Sequence, residues 1–280
     1  MVTNGRRWLF VALAGCGGGG SGNVDAPLTI VDAPPDAKVW LDAPPPEFDF
    51  SCMTNPPPTT ANANITGSGT IRRIEFNGSI MFNPLDGASV RVCKAPGAPD
   101  CNTTGNQLGS TVTTANGGLW SITFPSGGQP ADVYVEMTEA TSRTTFAFPD
   151  QPLTMDAMAD LLTFTPQVIA ALSLVPNGCT QSAGNALIGL AVIDCANQPI
   201  ADTANLTLSI KQGGNEVTGT TTMDLGAVNG AAAGLFLICN VPPNNVTTVG
   251  ASWKGMALRP HDVKTVAGTT SQTIVRPGYK

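Results

Sequence analysis

The chain has 280 residues, 42% of them hydrophobic and only 12% charged, with a formal net charge of -6 and a pI near 4.6. That balance argues against a nucleic-acid groove, which needs clustered Lys and Arg to displace counterions from phosphates. Abundant Gly (31) and Pro (23), with few Glu and Lys, suit short strands joined by turns rather than long helices.

At the N-terminus Arg6-Arg7 precedes the apolar run Trp8-Leu9-Phe10-Val11-Ala12 and then Leu13-Ala14-Gly15-Cys16. A positive start, a short apolar run, small residues and a Cys in that order are the pattern expected of an export signal. The stretch resembles the lipobox of bacterial lipoproteins. The resemblance implies removal of residues 1–15, lipidation of Cys16, and a membrane partner reached through that lipid. Gly17, where a retention signal would place Asp, implies the outer membrane or cell surface. The apolar run is shorter than the ~20 residues that span a bilayer, and no later stretch reaches that length without polar residues.

Residues 16–63 read as a linker. Gly17 to Gly22 is a flexible tether, and a short unit recurs as Val24-Asp25-Ala26-Pro27, Val31-Asp32-Ala33-Pro34 and Leu41-Asp42-Ala43-Pro44. Pro-rich sequence of this kind lacks the apolar density for a core and is expected to be an extended spacer. The alternative is that Trp40 and Phe48 dock on a partner or on the first domain.

From Asn64 onward period-two runs predict a mainly β protein. In Leu119-Trp120-Ser121-Ile122-Thr123-Phe124 the side chains of Trp120, Ile122 and Phe124 share a face, and Asn116-Gly117 before it is a hairpin signal. Val133, Val135 and Met137 read as inward-facing, Tyr134 and Glu136 as outward-facing. Residues 155–183 form a connector whose stretch from Asp156 to Val175 reads as helical, with Thr165 as N-cap and Pro166 in the first turn. Strands resume at Ala186–Ile193, Leu206–Ile210, Leu235–Ile238 and Thr247–Trp253, where Trp253 shares a core face with Val249 and Ala251, and close at Thr270–Val275. The expected architecture is therefore two antiparallel Greek-key β-sandwich domains, residues 64–154 and 184–280, joined by a short helix.

The two strand-rich regions look alike. Gly118-Leu119-Trp120 follows Asn116-Gly117 as Gly234-Leu235-Phe236 follows Asn229-Gly230. Residues ~64–150 and ~184–277 each resemble the carboxypeptidase regulatory-like, or transthyretin-like, sandwich. That resemblance implies small Greek-key modules that are usually not catalytic.

Six cysteines remain after Cys16: Cys52, Cys93, Cys101, Cys179, Cys195 and Cys239. An even number in an exported chain points to disulfides. Cys93 with Cys101 closes a turn-rich loop, Cys195 with Cys239 joins two strand ends, and Cys52 with Cys179 is left by elimination. The spacings do not suit a zinc site, and a single histidine, His261, rules out multi-histidine metal centres; no metal or cofactor is expected. No G-x-S-x-G elbow accompanies His261, and Arg259-Pro260-His261-Asp262 reads as an exposed loop, so no catalytic residue is assigned. The carboxylates Glu136, Glu139, Asp150 and Asp156 read as exposed strand-end groups rather than a glycosidase pair. The expected role is display at the cell surface: structural, adhesive or partner-binding, with a protein or polysaccharide ligand. The alternative is a carbohydrate-binding or envelope-processing accessory, which exposed aromatic side chains would favour.

Overall fold

The structure is a computed structural model that describes residues 6–8, 48–76, 80–95, 100–175, 177–228, 230–243 and 245–280. Cys16, the Gly-rich tether, the repeated Asp-Ala-Pro units and Trp40 lie outside the described residues. In chain order the strands of the first half are β1 (Arg6–Trp8), β2 (Asn64–Phe76), β3 (Ile80–Pro84), β4 (Ser89–Lys94), β5 (Gln107–Thr113), β6 (Leu119–Pro125), β7 (Val133–Thr138), β8 (Thr145–Phe148), β9 (Ala157–Ala159) and β10 (Leu161–Phe164). Helix α1 (Pro166–Leu172) follows. The second half comprises β11 (Ala186–Val192), β12 (Leu206–Gln212), β13 (Asn215–Glu216), β14 (Thr221–Asp224), helix α2 (Leu225–Val228), β15 (Leu235–Val241), β16 (Asn245–Trp253), β17 (Met256–Ala257), β18 (His261–Thr265) and β19 (Thr270–Val275).

The protein is mainly β, and each half is a sandwich. In the first, a sheet built on β2, with β6 antiparallel to it, covers β4, β5, β7 and β8. In the second, β11, β14, β15 and β19 cover a sheet of β12, β13, β16, β17 and β18. The strands carrying Trp120 and Phe236 are placed differently, since β6 pairs with β2 in the sheet that covers β4, β5, β7 and β8, whereas β15 pairs with β11 in the sheet that contains β14 and β19.

The halves are not separate bodies. Strands β8 and β19 pair in parallel, with Thr273 opposite Phe148, and fuse four strands from each half into one eight-stranded sheet of order β14-β15-β11-β19-β8-β7-β4-β5. Residues 48–280 consequently belong to a single unit, and β9 and β10, within the expected connector 155–183, pair with β2 of the first half. Period-two patterning carries no information on strand direction, so the all-antiparallel expectation misses this parallel seam and the parallel pairs β11–β19 and β2–β10.

The central strands of the shared sheet are buried on both faces, which corrects the reading of β7. Val133, Val135 and Met137 pack in one core with Ile65, Trp120 and Phe124. Tyr134, expected to face water, lies in the other core with Phe146 and Phe148 and is 0% exposed. Glu136 is buried as well and pairs with Arg91. By contrast β6 alternates as expected, with Trp120, Ile122 and Phe124 buried and the residues between them exposed.

The helical stretch is shorter than expected. Thr165 does cap α1, its Oγ1 accepting from Val168 N at 3.2 Å with Pro166 in the first turn. Upstream, however, β9 and β10 are strands because β2 offers them a parallel partner edge. Asp156 and Asp160 reinforce that edge by accepting from the backbone N–H groups of Thr66 (2.8 Å) and Thr70 (3.1 Å). Tertiary pairing here overrides local propensity. The Asn116-Gly117 turn also forms, both residues with positive φ, but it carries the chain from the shared sheet to the outer one instead of closing a two-strand ladder.

Candidate functional site

Because β8 and β19 run in parallel, their C-terminal ends emerge side by side. Pro149-Asp150 thus comes to lie against Arg276, and Arg259 joins them because its backbone N–H donates to Arg276 O at 2.9 Å. The Asp150 carboxylate, 1% exposed, is held by Arg276 Nε and faces an Arg259 nitrogen at 3.7 Å. Arg259 also donates to the Asp150 carbonyl and stacks over the Tyr279 ring at 4.0 Å. Desolvation pushes the Asp150 carboxyl above the usual carboxylate range, and the two guanidinium groups oppose that push. Asp150 is therefore an internal counterion and not the exposed strand-end group read from the sequence.

His261 opens β18 instead of lying in an exposed loop, because residues 261–265 extend the ladder on β16. Its Nδ1 is 2.9 Å from Thr273 Oγ1, and Thr273 donates its hydroxyl proton to Phe148 O at 3.1 Å. Nδ1 is then the donor, so the neutral tautomer leaves Nε2 unprotonated. Burial, aided by the charge of Arg259, lowers the histidine pKa to about 4.

Beside this seam opens a cleft of about 690 Å³, lined among others by Asp132, Gln151, Thr248, His261, Asp262 and Lys264. Its polar groups are mostly engaged within the protein. Gln151 exchanges two hydrogen bonds with the backbone of Lys280, and Thr248 Oγ1 donates to Asp262 at 2.6 Å. Desolvation by the cleft walls raises the Asp132 carboxyl. The nearest hydroxyl to His261, that of Thr273, is fully buried and directed at a carbonyl, so the geometry serves to join the halves.

The cysteines pair as Cys93–Cys101, the local closure expected, and as Cys52–Cys195 and Cys179–Cys239, which replace the expected Cys195–Cys239 and Cys52–Cys179. Strand register explains the correction. Ile188 lies opposite Ile238 and Ala191 opposite Leu235, so Cys239 faces the start of β11 whereas Cys195 lies beyond its end. About eight residues at ~3.3 Å each separate the two positions. Cys93, Cys101 and Glu136 are the metal-ligating types that cluster among the described residues, and both sulfurs are consumed by their disulfide.

The aromatic residues are covered by one another. Phe48 packs edge-on against Trp253 and Phe50 stacks on it, each with centroids 5.3 Å apart, so Phe48 belongs to the body and not to the spacer. Trp253 is buried with Val249 and Ala251, as its face predicts.

What the sequence reading missed is the seam triad of Asp150, Arg259 and Arg276. A signal for it exists: Phe148-Pro149-Asp150 and Val275-Arg276-Pro277 each set a charge and a Pro directly after the apolar end of a strand.

No family model matches the chain, and no curated protein matches it. Among solved structures, a double mutant of the shaft pilin SpaA from Lactobacillus rhamnosus GG is similar at 14% identity, covering 79% of this chain and 99% of that one, with a TM-score of 0.24. The Bacillus anthracis TIE protein is similar at 11% identity over 77% of this chain and 34% of its own length, with a TM-score of 0.22. The full-length major pilin SpaD from Corynebacterium diphtheriae matches at 11% identity over 72% and 65%, also with a TM-score of 0.22. Backbones related at this level share no residue-by-residue correspondence, and the functional reading rests on this chain's own residues.

Proposed function

We propose that this chain is an exported, lipid-anchored cell-envelope protein that displays a rigid, non-catalytic double β-sandwich in a structural, adhesive or partner-binding role. The observation that carries this reading is the cysteine inventory. Six of the seven cysteines are consumed by three disulfides within the body, which leaves Cys16, in its lipobox-like setting, as the residue available for acylation. Such disulfides persist in oxidising compartments outside the cytosol. Among the described residues no helix is long and apolar enough to cross a membrane, so attachment through lipid accounts for an anchor. Processing before Cys16 would remove β1, a three-residue ladder beside β9, and leave the β2–β9 pairing in place.

Intact-mass spectrometry of protein taken from its native membrane fraction tests the proposal. The expected mass is that of residues 16–280 plus acyl chains, with the acyl mass absent from a Cys16→Ala variant. An unprocessed or unacylated chain in the soluble fraction would refute the anchor.

A further inference from the structure

The path by which the tether enters the body is covalently short-circuited. At Phe48 the chain meets Trp253, Asp49 exchanges hydrogen bonds with Asp194 and Cys195, and Cys52 is bonded to Cys195, 143 residues further on. Cys195 follows β11, which is hydrogen-bonded on both sides, antiparallel to β15 and parallel to β19. At the other end of β11 the preceding segment is held by Cys179–Cys239, and Cys239 lies in β15.

We infer that these two disulfides form a covalent clamp that carries tension from the N-terminal tether past residues 53–178 and into the second half of the protein. The inference rests on the tether reading of the preceding subsection. Tension arriving at Cys52 crosses to Cys195, runs back along residues 195–179, crosses to Cys239 and continues toward Lys280. Strand β11 is then the regular element stretched between the two bridges. Strands β2 to β10 lie inside the closed Cys52–Cys195 loop, outside the loaded covalent path, and the load reaches them only through the β8–β19 seam.

The clamp sets a ceiling on extension. With both bridges intact, stretching between residues 48 and 280 can release roughly 60 residues, or about 200 Å at ~3.4 Å per residue. With all bridges reduced the same ends release about 230 residues, or about 800 Å. Cys52→Ser combined with Cys195→Ser, leaving Cys179–Cys239 intact, gives an intermediate value of about 600 Å.

The test is single-molecule stretching of the chain from residue 16 to Lys280, held by its two ends, in which the linker adds the same length to every trace. Oxidised protein is expected to gain no more than about 200 Å on unfolding, and reductant added under load should raise the gain about fourfold. An oxidised protein that unravels to the length of the doubly substituted chain, or a reduced one that keeps the short gain, overturns the clamp. Should the double variant not fold, the reductant arm decides on wild-type protein alone. These traces use unlipidated protein, so failure of the anchor would appear in the intact mass and leave them unchanged.

Discussion

Strands β6 and β19 both mix polar and apolar residues, yet the fold treats them oppositely. In β6 every second residue reaches water: Leu119 is 55% exposed while Trp120 is buried. In β19 all six residues are buried, although Thr270, Ser271, Gln272 and Thr273 are polar. The difference lies in position. An outer strand has one wet face that tolerates polar groups, whereas the strand at the seam has two dry faces, where a polar atom left without a partner is costly. Ser271 Oγ donates to Lys264 O, the Gln272 side-chain amide bonds both the N–H and the C=O of Leu162, and Thr273 serves Phe148 and His261. Ser271, Gln272 and Thr273 thereby tie the shared sheet to β10 on one side and to β18 on the other, while Thr270 Oγ1 is buried without a hydrogen-bond partner.

The contrast can be broken most severely at Gln272. Gln272→Ala leaves both backbone groups of Leu162 without the side-chain amide that meets them in a buried site, and should cost roughly 2–5 kcal/mol, since each orphaned buried group costs about 1–3 kcal/mol. Urea denaturation reads this as a fall in the midpoint at unchanged slope, and a loss below about 1 kcal/mol would show that the amide is not a structural tie.

A second, smaller effect concerns His261. The folded-state pKa of about 4 lies below the ordinary 6.5, so between those values the unfolded chain binds the extra proton. The stability that neutral His261 contributes is complete above about pH 6.5 and is lost as pH falls through about 4, to a total on the order of 3 kcal/mol. Arg259 and Asp262 act on the ring in opposite senses. Denaturation midpoints at pH 7, 5.5 and 4 should fall less steeply in a His261→Gln variant; parallel curves would mean that the ring is already solvated in the folded state.

The smallest effect sharpens the other side of the comparison. Leu119→Ser changes a side chain on the wet face of β6 and should leave the urea midpoint within the equivalent of about 0.5 kcal/mol. A larger loss would reveal a partner covering that face.

These residues also show how far the sequence could be read. The face of Trp120, Ile122 and Phe124, the burial of Trp253, the Thr165 cap and the Cys93–Cys101 closure were all legible, because each depends on neighbours a few positions away. Tyr134 and Glu136 were misread because alternation presumes one wet face, and β7 has none. His261 was misread because the ladder that makes it a strand residue comes from β16, and Asp150 because its counterions lie 109 and 126 positions downstream.

By itself, the sequence determined the class of the protein and the spacing of its strands, since period-two patterning and turn residues are local properties of a chain. The tertiary structure alone decided that the last strand lies at the centre of the shared sheet, that Cys52 reaches Cys195, and that Asp150 sits between two arginines. A parallel seam between residues more than a hundred positions apart leaves no periodic trace in either strand. Its signature is the burial of polar side chains on both faces, which appears only when the neighbours are in place.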